Sequence, residues 1–144
     1  MGLGQTSKGS TIPGTRESEN DELIPEGQVT EFRSLTMRAA YLTPERPEIG
    51  FAVKELARGM AQPAVHHVLG LKRLARFLVS YPRAVQTFVW QGTPKVLKAY
   101  TDSDFAGCTR TRRSTSGYCA LWGLHCLSVK CKHQSVIALS SGEA

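Results

Sequence analysis

The 144 residues have room for one ordinary domain or two small pieces, and 41% hydrophobic with 21% charged residues suits a globular chain rather than a disordered one. No apolar run approaches the roughly 20 residues of a membrane-spanning helix. No basic-then-apolar leader opens the chain either, so an intracellular place, cytoplasm or nucleus, is expected. The net charge of +6 is unevenly spread: residues 1–55 carry six Lys and Arg against nine Asp and Glu, a balance of −3, whereas residues 56–144 carry twelve against three, a balance of +9. So basic a segment favours a polyanion, nucleic acid first, over the plainer reading of a soluble basic surface.

Residues 1–28 are rich in Gly, Ser, Thr and acids, show no apolar period and read as a disordered linker. The opening MGLGQT fits the myristoylation pattern, a short pattern that matches often by chance. Residues 29–42 suit a helix capped by Thr30, with Phe32, Leu35, Ala39 and Leu42 at helical spacing. Pro44 and Pro47 break it. A second helix is expected over 47–60, with Ile49, Val53, Leu56 and Met60 as its stripe, and a third over 63–79, with Val68, Leu71, Ala75 and Leu78 facing one way. Lys72, Arg73 and Arg76 gather on another face of the third helix, either as a solvated surface or as a track along a nucleic-acid backbone.

Past Pro82 the period changes. Residues 85–91 (VQTFVWQ) are β-rich, and 96–101 read as the next strand. Residues 107–116 read as a polar loop with three arginines, and 117–122 and 127–131 as strands joined through Gly123. Residues 134–139 lead to Ser140, three before Glu143, which is a helix-start signature. Helices followed by three or four antiparallel strands make an α+β pattern.

Two acids, Asp102 and Asp104, stand at a strand end in basic surroundings, as divalent-metal chemistry on phosphates requires. The four cysteines, Cys108, Cys119, Cys126 and Cys131, read as reduced thiols and small, partly buried side chains. His125, Cys126, Cys131 and His133 lack the spacing of a zinc knuckle, and strand alternation sends neighbouring ligands to opposite faces. Neither a G-x-S-x-G elbow nor a phosphate-binding glycine loop occurs.

Several stretches, in order, resemble copia-type LTR retrotransposon polyproteins where reverse transcriptase passes into ribonuclease H. FRSL at 32–35 resembles the family's YRSL, and RPEIGFAV at 46–53 resembles RPDIAFAV. Residues 67–78 resemble its HWKAVKRILRYL helix, and YTDSDFAG at 100–107 resembles YTDADWAG. RRSTSGY at 112–118 and ALSSGEA at 138–144 match SRRSTSGY and ALSSTEA. Phe105 replaces a Trp, and SVKCKHQ at 128–134 replaces WSSKKQ.

The resemblance implies a helical reverse transcriptase connection over 29–84 and a truncated ribonuclease H-like domain, with an incomplete antiparallel sheet, over 85–144. It implies cleavage of the RNA strand of RNA–DNA hybrids by carboxylates holding two Mg²⁺ ions. Asp102 corresponds to the first catalytic and metal-binding carboxylate, on the central strand, with Asp104 as a supporting acid. Glu143 is either the second ligand or the neighbour of a glutamate one place beyond Ala144, and the remaining acids fall further on. One certain carboxylate cannot hold two metals, so this chain alone is expected to be inactive. Arg110, Arg112, Arg113, Lys130 and Lys132 are the candidate nucleic-acid contacts. The other readings are a non-catalytic nucleic-acid-binding remnant and a degenerate gene fragment.

Overall fold

Residues 9–14, 22–108 and 110–144 are described by the structure, a computed structural model, and they fall into two units, Met1–Ala84 and Val85–Ala144. In the first unit, helix α1 spans Glu26–Leu42, a single 3₁₀ turn at Pro47–Ile49 feeds helix α2 at Gly50–Arg58, and helix α3 spans Val65–Ser80. Helix α1 starts three residues before the expected position, and Thr30 is not its cap. Pro25 has its φ fixed at −55°, and its carbonyl accepts the Gln28 amide at 2.9 Å, which opens the first turn. Glu26 in that turn suits the positive end of the helix dipole. Thr43 ends α1 by donating its amide and its hydroxyl to the Ala40 carbonyl.

The core of this unit is drawn from all three helices. Phe32 and Ala39 are buried from α1, Ile49, Ala52, Val53 and Leu56 from the 3₁₀ turn and α2, and Leu71, Leu74 and Phe77 from α3. Each large apolar side chain so buried is worth about 1.5–3 kcal/mol. Leu42, expected inside, is exposed, and Thr36 is fully buried in its stead. On α3 the buried stripe runs through Gly70, Leu71, Leu74 and Phe77, with Val68 and Leu78 only at its margin. Arg33 of α1 reaches past the end of α2 and donates to the Met60 and Ala61 carbonyls at 2.7 and 3.2 Å. Both carbonyls lie just past the Gly59 cap of α2, so the guanidinium ties the start of the α2–α3 connection to α1.

Much of the expected linker, and the whole myristoylation pattern, lies outside the described residues. Its last residues are not a linker. Ile24 is buried in the core, and its amide bonds the Pro63 carbonyl at 3.0 Å, while the Val65 amide bonds Glu22 at 2.8 Å. This short antiparallel bridge ties the chain before α1 to the start of α3.

The second unit is a three-stranded antiparallel sheet in the order β1 (Leu97–Ser103), β2 (Thr115–Trp122), β3 (His125–His133). The fold class is therefore α+β, helices first and an incomplete sheet after. Gly123, at φ +61°, opens the two-residue turn between β2 and β3, a conformation that glycine adopts without a Cβ penalty. Residues 85–91 form no strand despite their β-rich letters. Their neighbourhood is tied to the hairpin end by side chains instead: Gln91 bonds the Trp122 carbonyl and the Leu124 amide, and His125 meets the Val89 carbonyl at 2.8 Å. No helix forms at 140–143 either; the Glu143 amide closes a single turn onto the Ser140 carbonyl.

Candidate nucleic-acid interface and carboxylate site

The register of the sheet decides which candidate residues meet. Asp102 pairs with Gly117, which pairs with Cys131, while Thr101, Tyr118 and Lys130 form the row on one side of it and Ser103, Ser116 and Lys132 the row on the other. Side chains alternate between faces along a strand and agree across a pair. Asp102 therefore shares a face with Tyr100, Cys119, Val129 and Cys131. Lys130 and Lys132 share the other face with Thr101, Ser103, Ser116 and Tyr118. The sheet thus separates the candidate carboxylate from two of the candidate cations.

An open depression of about 590 Å³ is lined by Thr101, Asp102, Ser103, Ser116, Gly117, Tyr118, Lys130, Lys132 and Ala144; strand alternation turns the Lys130 and Lys132 side chains to one face there and that of Asp102 to the other. Hydroxyls and ammonium groups are the usual partners of phosphate oxygens. The hydroxyl residues were not singled out by sequence. The signal that finds them is the alternate-residue spacing of Lys130 and Lys132, carried across the register onto RRSTSGY.

Asp102 is exposed on β1, and β1 is an edge strand, not a central one: three strands joined consecutively leave the first at the rim. Asp104, just past the strand, has a different task. Its amide donates to the Thr115 carbonyl at 3.1 Å and its carboxylate accepts the Thr115 amide, so both ends of the residue clasp β1 to β2. Gly107 sits against that carboxylate so closely that a Cβ there would collide with it.

The loop from 104 to 114 is more built than its polar letters suggest. Ser114 is fully buried; its hydroxyl accepts the Ala106 amide at 3.1 Å and its carbonyl accepts the Gln134 amide at 2.9 Å. Cys108, also buried, donates its amide to the Arg113 carbonyl and accepts the Arg112 amide at 2.8 Å. Arg112 adopts φ +56° in this tight return, and Arg110, Arg112 and Arg113 are exposed along it.

Glu143 is held in the terminal turn, where its carboxylate accepts the Leu139 amide at 2.9 Å. Ser103 donates its hydroxyl to the Ala144 carbonyl at 2.9 Å, which brings that turn to the end of β1 on the face opposite Asp102. Magnesium asks for several oxygen ligands in octahedral order. Here Asp102 offers one carboxylate, while those of Asp104 and Glu143 accept backbone amides. These residues do not fit a two-metal site, and among the described residues no group of three or more His, Cys, Asp or Glu could hold a metal ion. Likewise alternation parts His125 from Cys126, and His133 turns its ring nitrogen to the Thr115 hydroxyl at 3.3 Å.

Sequence comparison adds kinship to this geometry. No family model matches the chain, and no solved structure matches it. An uncharacterized mitochondrial protein of Arabidopsis thaliana is 35% identical over 79% of this chain and 47% of its own length. The retrovirus-related Pol polyprotein from transposon RE1 of Arabidopsis thaliana is 36% identical over 80% of this chain and 8% of its own length. A protein named secreted RxLR effector protein 161, of Plasmopara viticola, is 39% identical over 68% of each chain. The chain thus spans about half of the first relative and a small part of the polyprotein. With this kinship and the motif order together, the chain belongs to the copia-type retrotransposon Pol polyproteins, of which it is a fragment.

Proposed function

We propose that residues 85–144 belong to a ribonuclease H-like domain that acts on RNA–DNA hybrids in the intact polyprotein, with Asp102 among its acids, and that this chain alone binds nucleic-acid backbones without cutting RNA. The observation that carries the proposal is the division of the sheet. Lys130 and Lys132 line a hydroxyl-rich depression, and strand alternation turns their side chains to one face and that of Asp102 to the other. A phosphate backbone seated on the lysines therefore lies away from the carboxylate. Arg112 and Arg113, exposed in the loop after β1, extend the basic surface.

The test is a binding and cleavage assay of the purified chain on an RNA–DNA hybrid with Mg²⁺. The expected result is binding without cleavage, with affinity falling by about 0.9 log unit per log unit of salt for each phosphate neutralised. Replacing Lys130 and Lys132 together by Ala is expected to reduce that salt slope by roughly two, whereas Asp102→Asn leaves binding unchanged. Salt-independent binding, or none, sinks the binding half of the proposal. RNA cleavage that disappears in Asp102→Asn overturns the other half.

A further inference from the structure

Four cysteines lie within residues 108–131, and two of them meet across the β2–β3 hairpin. The Sγ atoms of Cys119 and Cys126 are 3.7 Å apart. The register pairs Cys119 with Val129 and Leu121 with Cys126, so the two cysteines stand diagonally on the face that also carries Asp102. A shift in the pairing between Ala120 and Leu121 leaves Leu127 as an extra residue on β3. Such a bulge sharpens the local twist, and here it accompanies the close approach of Cys126 to Cys119. Both side chains are only half-buried and open to a small reagent. A disulfide brings the sulfurs to about 2.05 Å, and side-chain rotation about χ1 can close a gap of this size.

We propose that Cys119 and Cys126 are a reversible dithiol–disulfide pair, oxidised by a low-molecular-weight disulfide, whose cross-link clamps β2 to β3. The chemistry is two successive thiol–disulfide exchanges. The thiolate of Cys126 attacks one sulfur of oxidised glutathione; the S–S bond breaks, one glutathione thiolate leaves, and a mixed disulfide remains on Cys126. Cys119, losing its proton, then attacks the Cys126 sulfur, and the second glutathione thiolate leaves. The two cysteines lose two electrons in total, glutathione disulfide gains them, and the two cysteine protons end on the two glutathione thiols. The hydrogen bond between the two thiols pushes the Cys119 thiol up, which disfavours its thiolate as the first nucleophile.

Selectivity is what separates a built pair from incidental oxidation. Cys131, opposite Gly117 on the same face, is the nearest competitor along the sheet, and Cys108 is buried in the β1–β2 loop. The test equilibrates the full chain with oxidised and reduced glutathione and maps the cross-links by mass spectrometry of proteolytic peptides. The expected result is an intrachain Cys119–Cys126 cross-link that predominates in native buffer, reverses with excess thiol and survives Cys131→Ser. In Cys126→Ser the cross-link is lost and Cys119 stops at the mixed disulfide. On oxidation, backbone amides of β2 and β3 are expected to exchange more slowly. A dominant Cys119–Cys131 or interchain bridge, no bridge at all, or the same mixture of bridges in native buffer and in concentrated urea would each overturn the proposal.

Discussion

Asp102 and Asp104 stand two residues apart and do different work. Asp102 lies within β1 with its side chain on an exposed face, whereas Asp104 has left the strand and turned its carboxylate back onto the Thr115 amide. A charge-assisted bond of this kind is worth about 1.5–3 kcal/mol when well buried and less when exposed, as it is here. Asp104→Ala is therefore expected to speed hydrogen exchange at the Thr115 amide by roughly tenfold, with Asp104→Asn intermediate because its amide oxygen can still accept. Unchanged exchange in Asp104→Ala would show that the clasp contributes nothing. Sequence pointed to Asp104 as a supporting acid but could not say what it supports. The partner is eleven residues away across a loop, and no local period links the two.

At the scale of elements, Thr36 shows how a helix can carry an internal defect. It is fully buried in α1 between Phe32 and Ala39, and its hydroxyl oxygen has no hydrogen-bond partner among the described residues. A buried, unsatisfied hydroxyl costs about 1–3 kcal/mol, while valine keeps the shape and drops the polar atom. Thr36→Val is thus expected to stabilise the helical unit by about 1 kcal/mol, which raises the midpoint of a thermal melt by roughly 4–8 °C for a domain of this size. A lower midpoint, followed by far-ultraviolet circular dichroism, would mean that the hydroxyl is satisfied in solution. Helix existence was legible from apolar spacing, yet the faces were not fully so. In α3 apolar residues occur at 65, 68, 69, 71, 74, 75, 77, 78 and 79, an arc broad enough to fit several stripes. Only packing against α1 and α2 selects the stripe that runs through Leu74 and Phe77. Residues 85–91 fail for the converse reason: β propensity describes a fit to a pleated surface, and a strand exists only where a partner pairs with it.

At the scale of the whole chain the two units differ in how they are held. The first buries a cluster of ten apolar residues; in the second, among the described residues, only Cys108, Ser114 and Ala138 are buried. Every residue of β1 is exposed, and Leu97, Tyr100, Val129 and Trp122 all show substantial surface on one sheet face or the other. Three strands need an apolar face packed against something to be independently stable, and about 25 cal/mol is forfeited for each Å² left in water. The sheet is then held chiefly by its ladder, the Asp104 clasp and the Ser114 and Gln91 anchors, none of which excludes water from its faces. Hydrogen exchange of the full chain should therefore separate the units: amides of β1 are expected to exchange at least about a hundredfold faster than those of α1 and α3 around Phe32 and Leu74. A hydrophobicity-sensing dye should bind, and its signal should persist when the helical unit is intact. Equal protection in both units would mean that the sheet faces are covered in solution. If that protection also rose with protein concentration, other copies of the chain would be the cover, because only an intermolecular contact responds to concentration by mass action.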